Sequence, residues 1–149
     1  MRAVVQRVQD CSVSTGDQIC GHIESGLLVY LGIGSEDAPR DIEYLAEKVL
    51  NLRIFADRDD KMNLSVLDVK GEVLVVSQFT LYGDARRGRR PSYSGAAGPE
   101  KARRYYSLFI EMIRSRGVRV EKGEFAARMQ VRYTNLGPVT ILLDSTGSF

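Results

Sequence analysis

The sequence predicts an α+β fold with a β-barrel-like core of antiparallel-rich strands and two helices packed outside it. Three features point there. Strand-like runs outnumber helical ones, they follow one another like hairpins and not in regular βαβ alternation, and only two stretches carry apolar residues at helical spacing. A doubly wound parallel sheet fits this order less well. At 149 residues the chain is long enough to bury a core of its own, so one domain over 1–149 is expected.

Taken in order, Arg2–Val8 and Ser12–Ser14 have strand composition, broken near Thr15-Gly16-Asp17. Gln18–Glu24 resumes the strand, and Ser25-Gly26 reads as a turn into the apolar run Leu27–Ile33. Gly34 to Pro39 starts a helix, with proline suited to the first helical position. Ile42, Leu45, Ala46 and Val49 then form one apolar stripe. Leu52–Phe55 is a short strand and Ala56–Lys61 an Asp-rich turn, before the β-branched run Glu72–Gln78, a central strand. Phe79–Gly98 has no clear period and holds four arginines; loops of that length in a small domain tend to be functional. Pro99–Arg116 is the second helix, with Ala102, Tyr105, Phe109 and Ile113 inward, and Val118–Val120, Met129–Thr134 and Val139–Leu143 complete the strands. Gly137-Pro138, between the last two, reads locally as a hairpin loop.

Composition narrows the class. No apolar run approaches the roughly 20 residues that cross a bilayer, and the N-terminus reads as a strand without a signal-peptide h-region, so no membrane association and a cytoplasmic location are expected. Cys11 and Cys20 then read as free thiols. The net charge of +2 is uneven. Asp84–Arg119 holds ten Lys/Arg against three Asp/Glu, +7, which leaves −5 for the remainder. Arg86, Arg87, Arg89 and Arg90 lie in that segment, a footprint suited to phosphate or a solvated basic loop.

Several chemistries find no support. His22 is the one histidine, in a hairpin strand, so a Ser-His-Asp triad has little to draw on. No His/Cys spacing suits a metal, and no cofactor-binding glycine loop is present, so neither metal nor cofactor is expected. The acidic runs EDAPRD and DRDD read as a helix cap and a turn. The informative stretch is Ser77-Gln78-Phe79-Thr80-Leu81, where a buried strand ends in polar side chains beside the basic loop. Ser77 and Thr80 are nucleophile candidates with no general base near them in sequence; the plain alternative is that both hydroxyls bond backbone.

Together, SQFTLYGDARRGRRPSY at Ser77–Tyr93 and NLGPVT at Asn135–Thr140 resemble the two signature motifs of the D-aminoacyl-tRNA deacylases. MRAVVQRV, GLLVYLGI, YLAEKVLNLRIFAD, KMNLSVLDVKGEVLVVSQFTLYGD and MQV match the same family pattern in order and spacing. The resemblance implies a homodimer of barrel-like subunits that binds the 3′ end of aminoacyl-tRNA and hydrolyses the ester to a D-amino acid. It implies a Gly137-Pro138 cis peptide inserted into the partner's site, with Arg7 orienting it. Ser77, Gln78, Phe79 and Thr80 would receive the aminoacyl end, and Met129 would line the adenosine side. An aminoacyl ester is already activated, so a site without a base suits attack assisted by the ribose 2′-hydroxyl, with amides near Phe79 and Thr80 stabilising the oxyanion. Carbonyls of Gly137 and Pro138 holding the α-amino group would reject an L side chain by clash and admit glycine.

The chain departs from the family pattern at Leu136, where Asp is common, and at Tyr82-Gly83-Asp84-Ala85, where Ala-Asp-Thr is commoner. Two other readings compete. One is a non-catalytic nucleic-acid-binding barrel, and the other is the related deacylase that edits L-alanine, whose Gly-Pro peptide is trans.

Overall fold

A computed structural model describes residues 1–147; the last two residues of the expected 1–149 domain lie outside the described residues. The chain runs β1 (Arg2–Thr15), β2 (Gln18–Gly32), α1 (Pro39–Asn51), β3 (Phe55–Ala56), β4 (Met62–Leu64), β5 (Glu72–Ser77), a 3-10 turn (Phe79–Tyr82), α2 (Pro99–Arg114), β6 (Val120–Lys122) and β7 (Gln130–Asp144). Five strands form one mixed sheet in the order β6-β5-β2-β1-β7, and β3 pairs with β4 apart from it. The α+β class with two helices holds.

The pairing is less antiparallel than expected. β1 pairs antiparallel with β2 and β7, but β2–β5 and β5–β6 are parallel. Parallel neighbours need a long crossover, and each helix serves one: α1 lies between β2 and β5, and α2 between β5 and β6. Both crossovers step the same way across the sheet, so the right-handed rule puts both helices on one face, where they pack together.

Alternation along the strands divides two cores. Val5, Leu27, Val29, Leu31, Val73 and Val75 face the helices, meeting Leu45 and Val49 of α1 and Phe109 and Ile113 of α2. Leu28, Leu74 and Val76 face the other way, against Val8, Cys11, Val13 and Ile23. The far half of the β1–β2 hairpin thus bends over the second face, and both faces of the central strands are dry. In α2 the fully buried positions are Tyr106, Phe109, Ile110 and Ile113, while Ala102 and Tyr105 pack at the margin. The buried Tyr106 hydroxyl donates to the Val75 carbonyl, 2.8 Å away, which ties α2 to the strand carrying the SQFTL segment.

Three local expectations fail for identifiable reasons. Strand β1 is continuous through Gln9–Cys11, because a bulge at Asp10 (φ 50°) absorbs the irregularity. Ser25-Gly26 is not a turn but part of β2. There Gly26 (φ 154°) lets β5 approach, and a Cβ would lie 1.8 Å from the Glu72 carbonyl oxygen. The short strands also shift, to Phe55–Ala56 and Val120–Lys122, and Met62–Leu64 adds a strand without a clear apolar signal. Among the described residues, no helix is long and apolar enough to cross a membrane.

Candidate active site

Beyond Ser77 the chain leaves the sheet. The Gln78 amide still donates to the Leu31 carbonyl at 2.8 Å, and the backbone then coils into the 3-10 turn. No side chain caps that turn, which leaves its leading amides, Phe79 and Thr80, as donors with no capping partner. A cavity of about 660 Å³ opens beside them, walled by Ser77, Gln78 and Phe79, by Tyr93 and Ala97 of the loop, by Ala102 of α2, and by Phe125 and Met129 before β7. Four of the residues singled out in sequence, Ser77, Gln78, Phe79 and Met129, therefore share one wall.

Thr80 is exposed and is not on that wall; its hydroxyl accepts a hydrogen bond from the Gln78 side-chain amide. Among the described residues, Tyr93 is the one titratable side chain lining the cavity. The wall offers amides, the hydroxyls of Ser77 and Tyr93, and apolar surface, suited to holding and polarising a substrate. Phe125 and Tyr93 were missed as wall residues, since a lone aromatic in an aperiodic loop leaves no spacing signal.

The second signature segment is built differently. Both flanks of Gly137-Pro138 pair with β1, Thr140 opposite Gln6 and Asn135 opposite Val8. Leu136 to Val139 therefore stand opposite Arg7 alone, as a four-residue bulge within β7. The local hairpin reading fails because the flanks pair with β1 and not with each other. The Gly137-Pro138 peptide is cis, and both residues are exposed.

Side chains brace this bulge from within. The Asn135 side-chain Oδ1 accepts from the Val139 amide at 3.2 Å, and the Asn135 and Gln6 side-chain amides both donate to the Thr140 hydroxyl, at 3.2 and 3.0 Å. Arg7 donates to the Leu136 carbonyl at 3.4 Å and to the Ile54 carbonyl at 2.7 Å. Leu136 thus meets Arg7 through its backbone carbonyl, a contact that does not depend on its side chain. Gly137 has φ 118°, and a Cβ there would lie 2.8 Å from Val139 Cγ2 and 3.0 Å from Arg7 Nη2. Neither Gly137, Pro138 nor Arg7 lines the cavity of its own chain.

The arginine loop is a small hairpin closed by mutual amide–carbonyl bonds between Asp84 and Ser92, at 2.8 and 2.9 Å. Arg86 grips Asp84 through Nε (2.9 Å) and Nη2 (2.7 Å), and these bonds hold the Asp84 carboxyl down at about 2. Arg87, Arg89 and Arg90 are exposed and make no ion pair among the described residues. Beside the hairpin, Tyr82 takes Arg2 over its ring at 4.6 Å and packs against Gly34. His22 pairs with Asp10 at 3.2 Å, off the cavity wall. Cys11 and Cys20 are free. Among the described residues, no group of three His, Cys, Asp or Glu side chains could hold a metal.

The family described as D-Tyr-tRNA(Tyr) deacylase matches residues 4–144. A "D-aminoacyl-tRNA deacylase" of Fervidobacterium nodosum is 61% identical over 149 residues, covering all of both chains. One of the same name from Thermosipho melanesiensis is 59% identical over 150 residues, again covering both in full. Among solved structures, the "c-Myc DNA Unwinding Element Binding Protein" superposes with a TM-score of 0.91 at 41% identity, covering 97% of this chain and 98% of its own.

Proposed function

The chain belongs to the D-Tyr-tRNA(Tyr) deacylase family, and on that premise we propose that it hydrolyses the ester of D-aminoacyl-tRNA, and of glycyl-tRNA, as a chiral proofreading step in translation. One observation carries the reading. Ser77, Gln78 and Phe79 line a cavity with donors and, among the described residues, no carboxylate, imidazole or amine, while the Gly-Pro bulge is braced from within and exposed on another part of the same chain. Two copies of the chain would complete each other, the bulge of one entering the cavity of the next as a homodimer.

In this mechanism the aminoacyl end of the 3′-terminal adenosine occupies the cavity, with the adenosine against Met129. A water oxygen bonds to the ester carbonyl carbon, and the carbonyl oxygen takes negative charge beside the amides of Phe79 and Thr80. The bond from that carbon to the ribose 3′ oxygen then breaks. The proton lost by water passes through the neighbouring 2′-hydroxyl to the departing oxygen, leaving a free amino acid and a free 3′-hydroxyl. Thr80 is a positioner: an acyl-enzyme on its hydroxyl needs a base, and Gln78 is its hydrogen-bond partner here. Carbonyls of the partner's Gly137 and Pro138 hold the α-amino group, so an L side chain would collide with braced backbone and a D side chain or hydrogen would not. Arg86, Arg87, Arg89 and Arg90 meet phosphates of the acceptor end, with binding that weakens as salt rises.

A second reading has a specific observation behind it, since one solved relative is named for binding a DNA element. On that reading the arginine hairpin binds nucleic acid and the cavity turns nothing over. Deacylation of D-Tyr-, L-Tyr- and Gly-tRNA separates the two. The proposal expects turnover of the first and third; hydrolysis of L-Tyr-tRNA would sink the chiral gate, and inertness toward all three would favour binding alone. Repeating the D-Tyr assay on tRNA ending in 2′-deoxyadenosine tests the proton route, which unchanged hydrolysis would refute.

A further inference from the structure

Phe79 and Tyr93 form an edge-to-face pair, ring centroids 5.1 Å apart and planes at 70°. Such pairs ordinarily sit inside a protein, yet here Phe79 is 60% exposed and Tyr93 38%. Both rings line the cavity. Tyr93 directly follows Ser92, which closes the arginine hairpin, and it rests against Gly83, where a Cβ would lie 3.1 Å from its Cε1. The two rings therefore stand at the junction of cavity and hairpin.

Building on the proposed function, we infer that this pair is a stacking platform for the nucleobase next to the terminal adenosine of the tRNA 3′ end. Single-stranded nucleic acid is held by this combination: an aromatic face for a base, with cations along the phosphates. An edge-to-face arrangement leaves one ring face uncovered for a planar partner. Beyond it, three arginines without ion pairs among the described residues supply the charge a polyanion needs. The other aromatic of the cavity is a poorer candidate. Phe125 is half-buried, with Arg103 over its ring at 4.7 Å and Tyr106 beside it at 5.8 Å. Among the described residues the strand leaving the cavity thus has one open aromatic exit, and it leads to the hairpin. Base–aromatic stacking of this kind weakens binding by about 5–100-fold when the ring is removed.

The test is binding, so it stands apart from turnover. An uncharged 3′-terminal tRNA oligonucleotide carries a stacking-sensitive fluorescent base analogue at the penultimate position. The wild-type protein should quench it on binding. Tyr93→Ala and Phe79→Leu should each lose the quench and bind about 5–100-fold more weakly, while Tyr93→Phe, which keeps the ring, retains both. A second arm compares hydrolysis of D-aminoacyl-tRNA with that of D-aminoacyl-adenosine, which lacks the penultimate base. The Tyr93→Ala defect should be at least about fivefold larger on the tRNA. Quenching that survives both ring removals, or equal defects on the two substrates, overturns the platform. If quenching follows the rings but no aminoacyl substrate is hydrolysed, the platform stands and the deacylase reading falls.

Discussion

The strands β5 and β7 are both interrupted where the signature residues lie, and in opposite ways. β5 stops: its backbone leaves the ladder after Ser77, and the next amides and side chains turn to a cavity. β7 continues: its flanks stay paired with β1 while four residues arch out, tied down by Asn135, Thr140, Gln6 and Arg7. A strand end supplies donors able to follow a developing charge, and a braced bulge supplies a fixed shape. Under the proposed mechanism this contrast is a division of labour, polarisation at the first and steric rejection at the second.

The largest expected effect breaks the first region. Phe79→Pro deletes one leading amide at a position where proline is tolerated, the first of a helical turn. Measured against Phe79→Leu, which loses the same ring but keeps the amide, the single-turnover rate on D-Tyr-tRNA should fall by about 10²–10³-fold, the usual loss for one oxyanion donor, with thermal unfolding little changed. A rate near wild type would remove that amide from the chemistry.

Next comes the bulge. Gly137→Ala forces a Cβ toward Val139 and Arg7 at a φ that L residues rarely adopt, and Arg7→Ala removes the brace on Leu136. Both should lower D-Tyr-tRNA turnover by about 10²-fold through misplacement and raise the relative rate on L-Tyr-tRNA. The comparison sharpens if Phe79→Pro, measured alongside, loses rate without losing D-over-L preference. Replacing Arg89 or Arg90 with alanine should act more weakly still. It should reduce the slope of log KM against log salt by about 0.7–0.9 for each phosphate that the arginine no longer neutralises.

The smallest effect concerns the cores behind these regions. Burial first, and then Asp10, push the Cys11 thiol up to about 12 from its ordinary 9.0. Cys11 should resist alkylation in the native protein while the half-buried Cys20 reacts. The sign follows from linkage. The folded state favours the neutral thiol, so this contribution to stability is intact below pH 9 and is lost as pH rises from about 9 toward 12. Urea midpoints across that range for wild type and Cys11→Ala should converge as the pH rises; parallel curves would deny the shift.

Much of this was legible in the residues. Helix periodicity found α1 and α2, and the β-branched run found β5, because one-sided burial prints directly on spacing. What stayed hidden needed partners distant in sequence. Gly26 looked like a turn because nothing local reveals that Glu72 comes within reach of its Cβ position. Gly137-Pro138 looked like a loop because β1, more than a hundred residues earlier, holds both flanks. Ser77, Gln78, Phe79 and Met129 share one cavity wall and Thr80 stands off it, while Phe125 and Tyr93, which complete the wall, sit in aperiodic loops.

The proposal's central point, that each site joins the strand end of one copy to the bulge of another, is tested by mixing two crippled chains. Phe79→Pro and Gly137→Val are co-expressed with different tags, and the mixed dimers are purified on both tags in turn. Each mixed dimer holds one intact cavity facing one intact bulge. Random mixing should therefore restore about a quarter of wild-type D-Tyr-tRNA deacylation, and the doubly purified fraction about half. If cavity and bulge served the same chain, every chain would remain defective, and the mixed dimers would show no more activity than either variant alone.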